Sequence, residues 1–594
     1  MKKHYETHVE DTDKLISVAG PVLDYKSWYE QYRKLMEEQA QRKYGLYTPT
    51  SEGDDDFPSI TGMIARYSAL GLTNEQMTEN PVWKDLTGNG HDLQMKNFAW
   101  GGMSGVGGYE MNFNLWTNNV PSIPDISMST TTTSVSVSVR NSTYNNNLIY
   151  IHINNWDINK NHWLKVTSTY EDGDLVFKFY NDNNSKNIEL PANGYVNIPA
   201  YPEFKGNYMY ISTTSNKQGS FTIEQFPLYP GFILGDGVDD FAVTEKELNF
   251  EDTYTVYTAF IPFQNNPTRN MILCGADSKK TFSMQYSSLV YVSFIAGNNY
   301  YINADFVNGL NLFACKRNGN NICIKNLLTN KVVTGTCGDW VENAGPYYLW
   351  KNATYASFAK AAIAGQTICN GYFSTDEDDE KVLDWYKKQY PWLFPDQAWT
   401  VTGKTNEDED RATIANITGN GNNLVLSNFG FAEGSGYNEE GEYAGYLVTD
   451  GVDDRVQDSS FKLNKDWTLV GEWVFLNQKA TNAGITKPFS FVVYNRTTGL
   501  SLFINTGTSG ITIENVKSIK AICSDERIYF DDWSEMLISK DQDITSSTSV
   551  LSIGFNGTAY TQMAFKNLGI YNNQLLSKDD CIKAYNYLQT LKAK

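Results

Sequence analysis

The chain has 594 residues, enough for three or four domains that each bury a core of their own. Abundant Tyr (38), Phe (30) and Gly (45) beside only 17 Pro point to a folded protein built of strands and turns. A formal charge of −20 repels phosphate backbones and anionic lipid, so no nucleic acid partner is expected and membrane surfaces are poor partners.

The first sixty residues differ from the rest. Tyr25, Trp28, Tyr29, Tyr32, Leu35 and Met36 recur at helical spacing, with Asp24 as N-cap and Gly45 as stop, so a short amphipathic helix is expected. A lone helix of this length is marginal in water, so its aromatic face must dock on a neighbouring domain or another subunit. The acidic Ser51 to Ser59 then reads as a linker. The opening MKKHYETHVEDTDKLISVAG never develops an apolar run of signal-peptide length, and no later run could span a bilayer. Folding in a reducing cytosol is therefore expected. The seven cysteines (Cys274, Cys315, Cys323, Cys337, Cys369, Cys523, Cys581) agree, since they form no CxxC pair, although one local bridge from Cys315 to Cys323 or Cys337 stays open.

From Thr61 onward the chain repeats itself. TGNGHDLQMKNF (Thr87 to Phe98) aligns without gaps to TGNGNNLVLSNF (Thr418 to Phe429), 331 residues later, with seven of twelve positions identical. A second landmark, the DGVDD of Asp236 to Asp240, returns at Asp450 to Asp454, only 214 residues later. An Asp-Gly pair between apolar residues is a strand-to-strand turn. The unequal offsets mean that the first copy carries 117 extra residues between its landmarks. They fall in Asn118 to Gln225, where alternating segments such as Ser134 to Val139, Leu148 to Ile153, Leu175 to Tyr180 and Tyr208 to Thr213 predict roughly seven short strands, a small β-sandwich inserted into the first repeat. Both repeats end in a strand, a polar turn and a short helix (Asn370 to Tyr390 and Leu568 to Leu588), with Leu576, Ile582, Tyr585 and Leu588 as an apolar stripe in the second. Pro391 and Pro395 bracket the WLF that closes the first repeat.

This order of landmarks, an opening W-x-D-x-T-G-N-G (Trp83, Asp85, Thr87 to Gly90), a DGVDD turn, a closing strand and an acidic helix, resembles the concanavalin A-like jelly roll of the laminin-G-like superfamily. The second copy departs from it, with Ile414 and Asn416 where the first has Trp83 and Asp85. The resemblance implies an all-β protein of two concanavalin A-like jelly-roll sandwiches, the first carrying the inserted β-sandwich, behind a short helical N-terminal segment. The implied boundaries are 1–60 for that segment, 61–116 with 226–395 for the first jelly roll, 117–225 for the insert and 396–594 for the second jelly roll. Such modules behind such an N-terminus also resemble virion proteins of tailed phages of gut bacteria, including crAss-like phages.

Candidate chemistry is sparse. Asp236, Asp239 and Asp240, with Asp450, Asp453 and Asp454, offer oxygens to calcium, though an Asx-stabilised turn accounts for the same residues. TGNG lacks the Lys-Ser/Thr of a phosphate loop. No strand carries the E-x-D-x-x-E of jelly-roll glycosidases, and Asp376 to Glu380 and Glu407 to Asp410 read as solvated turns or helix N-termini. The five histidines (His4, His8, His91, His152, His162) leave the second repeat with none, so histidine chemistry is no shared property of the repeats. Flat apolar faces for stacking sugar rings are expected from Trp399, Trp467, Trp473 and Trp533, and from Trp156 and Trp163 of the insert.

The expected function is thus a structural virion protein, a fibre or appendage subunit whose lectin-like domains adhere to host-surface glycans, with no catalytic residue and no required cofactor. Residues 1–60 would join it to other virion proteins, and by analogy with fibres the oligomer would be a trimer. It would assemble in the host cytoplasm and reside in the virion. A bacterial cell-surface adhesin and a capsule depolymerase are the alternatives.

Overall fold

The computed structural model describes residues 56–593 apart from short internal stretches, the longest being 119–125, 140–150, 264–270, 352–357, 505–510 and 538–546. The expected helix over Tyr25 to Met36 lies outside the described residues. What is described is almost entirely antiparallel sheet, and three α-helices complete it: Asn74–Glu79, Asp376–Gln389 and Lys578–Thr590. None of these is long and apolar enough to cross a membrane.

Two sheets of eight strands are built from residues of 63–106 and 233–370. The strand Lys360–Asn370 organises one of them. Thr253–Pro262 lies along one edge, while Ile233–Asp236 and Met63–Ser68 share the other. It is buried along nearly its whole length, so it reads as a continuous run of small and branched residues and not as an alternating pattern. Gly365 allows the close approach: a Cβ there would lie 2.6 Å from the Tyr67 carbonyl oxygen and 2.9 Å from the Tyr386 hydroxyl. Residues of both sheets, among them Tyr67, Trp83, Val256, Trp350 and Ile363, interleave in one core.

The second half repeats this plan. Met563–Asn572 is flanked by Trp467–Phe475 on one side, and by Leu447–Val448 and Gln397–Thr400 on the other. Even the irregularity is shared: the long pair of each repeat carries a bulge, between Ala259 and Phe260 in the first and between Glu472 and Trp473 in the second. The insert forms two five-stranded sheets from residues 117–225, around a core that includes Phe113, Val137, Leu164, Phe177 and Ile211.

The opening motif works alike in both copies although its residues differ. Asp85 Oδ1 accepts hydrogen bonds from the backbone N–H of Arg66 (3.1 Å) and Thr87 (3.0 Å) and from the Thr87 hydroxyl (2.7 Å). Asn416 Oδ1 accepts from Ala398 N–H, Thr418 N–H and the Thr418 hydroxyl. An amide oxygen can replace this carboxylate oxygen because all three bonds to it are accepted; the other atom differs, since Asp85 Oδ2 accepts from the His91 N–H whereas Asn416 Nδ2 donates to Gln397. Likewise the Tyr67 hydroxyl donates to the His91 carbonyl, and Trp399 Nε1 donates to the matching Asn422 carbonyl.

The closing helices join the parts. The stripe of Leu576, Ile582, Tyr585 and Leu588 is buried, in a cluster shared with Val382, Tyr386 and Trp392 of the first repeat. The Tyr571 hydroxyl donates to the Trp392 carbonyl (2.7 Å), and the Leu310 N–H donates to the Tyr587 hydroxyl (3.1 Å). Pro391–Leu393 is a buried 3₁₀ turn inside this junction.

Candidate functional site

Five of the six tryptophans expected to stack on sugars are core residues. Trp399, Trp467, Trp473 and Trp533 are at most 1 % exposed, and Trp156 is buried against His162 and Phe177. Their rings have no free face, because a large apolar side chain gains most from full burial between two sheets. The side chain of Trp163 lies outside those described.

The two DGVDD segments are Asx-stabilised turns of matching geometry. Asp236 Oδ1 accepts from the N–H of Val238 (2.7 Å) and Asp239 (3.4 Å), and Asp240 Oδ2 accepts from the Asp236 N–H (2.9 Å). In the second copy Asp450 Oδ1 accepts from Val452 (2.7 Å) and Asp453 (3.2 Å), and Asp454 Oδ2 from Asp450 (2.8 Å). Gly237 and Gly451 take φ of +79° and +74°, which only glycine adopts without cost. Within each triad, carboxylate oxygens lie within 4.8 Å of one another. Burial, with the neighbouring acids, pushes the carboxyl of Asp240 up to about 7 and that of Asp454 up to about 6. The oxygens already accepting backbone N–H groups keep part of each triad from a cation. Asp239 and Asp453 stay exposed at the rim.

The acidic runs are more structural than their composition suggests. Asp376 to Glu380 does open a helix, capped by Thr375 with Asp378 in a reciprocal box. Asp378 and Asp379, however, are buried, contrary to the solvated reading. Asp379 Oδ2 meets Lys316 Nζ at 2.8 Å and Lys325 Nζ at 3.0 Å, while its Oδ1 accepts from the hydroxyls of Tyr257 (2.9 Å) and Ser374 (3.2 Å). The charge is enclosed because the facing strands supply its counterions. Another buried acid, Glu472, accepts from the Tyr446 hydroxyl and from Gln589 Nε2, each at 2.6 Å. Burial opposes its charge, yet Lys520 and Lys566 outweigh it and hold the carboxyl below its ordinary value. With both oxygens engaged, Glu472 serves the fold. The cysteines Cys315, Cys323, Cys337, Cys369, Cys523 and Cys581 carry free thiols, so the bridge left open in the sequence is not formed.

What the fold does assemble is a cleft of about 470 Å³ between the insert and the second sandwich. One wall is made by the insert, with Asp172, Glu189, Asn193 and Tyr195; the other by Asp531, Asp532, Ser534 and Lys578. Trp533 explains how the second wall is presented. It sits at φ +59°, a left-handed backbone that a bulky residue rarely adopts. Its indole is sunk in the core beside Tyr529 and Tyr585, with centroids at 6.3 and 5.7 Å, and the flanking Asp532 and Ser534 are left exposed. The turn is held by Asp532 Oδ1, which accepts from the N–H and hydroxyl of Ser534, and by the Ser518 hydroxyl donating to Asp531. Across the cleft, Asp172 Oδ1 accepts from the Ala192 N–H (2.7 Å). Lys578 Nζ stands 5.2 Å from the Tyr195 ring centre. Burial, with Asp579 and Glu224, pushes the Tyr195 phenol up to about 12, so it remains a neutral hydroxyl donor at physiological pH. The Tyr195 ring is itself met by Lys578 and by Phe226, whose centroid lies 5.3 Å away, so it is the converging carboxylates, amide and hydroxyl beside it that can bind the hydroxyl groups of a pyranose.

Of the residues singled out in the sequence, only Trp533 belongs to this cleft, and as an anchor. Tyr195 and Asp532 were missed because more than three hundred residues separate them and neither lies in a repeat landmark. The polar DDWS at Asp531 to Ser534 was the one local signal available.

No protein-family model matches the chain, and no curated protein matches it. Solved structures similar to it include the receptor-binding domain of botulinum neurotoxin type G, at 12% identity over 58% of this chain and 91% of that one, with a TM-score of 0.25. The binding domain of botulinum neurotoxin DC in complex with SialylT is 10% identical over 55% and 87%, with a TM-score of 0.23. Domain 4 of an extracellular arabinanase from Geobacillus stearothermophilus, in complex with arabinotriose, is 14% identical over 26% and 80%, with a TM-score of 0.20. Likeness at this level does not carry their ligands over to this chain.

Proposed function

We propose that this all-β protein binds glycans without turning them over, as an adhesion subunit of a tailed-phage virion. The cleft between the insert and the second sandwich is the observation that carries the binding reading, because it joins an aromatic ring to several convergent polar groups at a domain boundary. Several copies of the chain on one particle add the prospect of avidity, since sites displayed together bind more tightly than any one alone. The virion setting rests on the resemblance of the module order to phage virion proteins.

Two measurements test the reading. Full-length protein on an array of bacterial surface glycans is expected to bind, with loss of binding in Tyr195→Ala while the melting transition is retained. Binding to no glycan would leave a purely structural role. Mass spectrometry of purified particles is expected to contain the polypeptide; its recovery from the envelope of uninfected cells would replace the virion with a bacterial adhesin. Release of reducing ends from host polysaccharide would make it a depolymerase.

A further inference from the structure

We infer that the cleft selects saccharides that carry no acid groups, so that neutral or amino-bearing glycans enter and uronic or sialic acid-bearing ones are turned away. This inference rests on the glycan-binding reading and adds the ligand class to it.

The charge placed around the cleft sets the selection. Four carboxylates line the cleft, Asp172 and Glu189 from the insert and Asp531 and Asp532 from the second sandwich, against the single ammonium of Lys578. The nearby cations do not redress this. Lys520 reaches Asp531 at 3.5 Å and is itself buried, and Lys165 is paired with Glu224 at 3.2 Å. With Lys520 set against Asp531, three lining carboxylates still face one lysine, whose Nζ stands 5.2 Å from the Tyr195 ring centre. A bound acid sugar would meet like charges from both walls with no guanidinium available for a bidentate pair, because no arginine lines the cleft among the described residues. A neutral sugar meets no such opposition, and carboxylate oxygens are strong acceptors for its hydroxyl groups.

The test titrates the full chain with three oligosaccharides of equal length: a neutral glucan, its fully uronic counterpart, and an amino-bearing chitosan oligomer. The glucan or the chitosan oligomer is expected to bind at least about tenfold more tightly than the uronic oligomer, the effect of like charges placed together. The gap is expected to narrow as salt is raised. Glu189→Gln removes one lining charge at an exposed position and is expected to strengthen uronic binding. Tighter binding of the uronic oligomer by the native protein, or a gap that Glu189→Gln leaves unchanged, overturns the inference and leaves the glycan reading standing. Binding of none of the three, nor of any array glycan, overturns both.

Discussion

The indole of Trp533 meets the ring of Tyr585 edge-on, with centroids 5.7 Å apart and planes at 79°. One partner belongs to the turn that forms a wall of the cleft, the other to the helix Lys578–Thr590, so the contact ties the cleft to the junction between the two repeats. Trp533→Ala should cost about 3–5 kcal/mol, the usual consequence of emptying a buried aromatic position, read as a lowered denaturation midpoint. An unchanged midpoint would show that the turn does not depend on this anchor.

Asp379 lies between Lys316 and Lys325 with almost no access to water. Removing its charge leaves the buried Lys316 ammonium without its carboxylate, while Lys325 keeps Asp376 at 2.6 Å. Asp379→Ala is expected to destabilise the first sandwich by about 3–5 kcal/mol, and pairing it with Lys316→Met should recover part of that loss. Chemical denaturation of the single and double variants gives the comparison.

The buried ends of the two DGVDD turns make stability depend on pH. Burial raises Asp240 to about 7 and Asp454 to about 6, above the unfolded carboxyl value. The folded state therefore holds more protons than the unfolded state between about pH 4 and 7. The stability these groups contribute is fully present below the unfolded value and is lost as pH rises through the folded one. The slope is at most about 1.4 kcal/mol per pH unit for each group. Asp240→Asn with Asp454→Asn keeps the acceptor for the Asp236 and Asp450 N–H groups and should flatten that slope. A profile identical to the native one would remove these two acids as its source.

Calcium binding at these turns is expected to be weak, about 10⁻⁴–10⁻³ M, since Asp236 and Asp240 already spend oxygens on backbone N–H groups. Calcium should raise the melting temperature slightly more than magnesium does, and Asp239→Asn with Asp453→Asn should erase the difference. Equal effects of the two ions would reduce the triads to turns alone.

Much of the architecture was legible because it is written in local patterns. The apolar stripe of Leu576, Ile582, Tyr585 and Leu588 has the helical period, and the alternation in Ser134 to Val139 has the strand period, so each states which face will be buried. The Asp236 and Asp450 turns were legible for a related reason: an Asx turn is completed within four residues, and glycine at its second position meets a backbone demand that no distant contact can alter.

The same kind of reading failed for the tryptophans and for Asp379. Whether an indole stacks on a ligand or fills a core depends on which strands arrive above and below it, and whether an acid is solvated depends on whether Lys316 and Lys325 are brought to it from elsewhere. By itself the sequence determined strand and helix periodicity, the duplicated turns and the presence of an insert, because these follow from neighbours along the chain. Only the tertiary structure decided that Tyr195 and Asp532 face one cleft and that the indole of Trp533 is buried in the core beside it. Such proximity comes from the packing of the insert against the second sandwich, which no local pattern encodes.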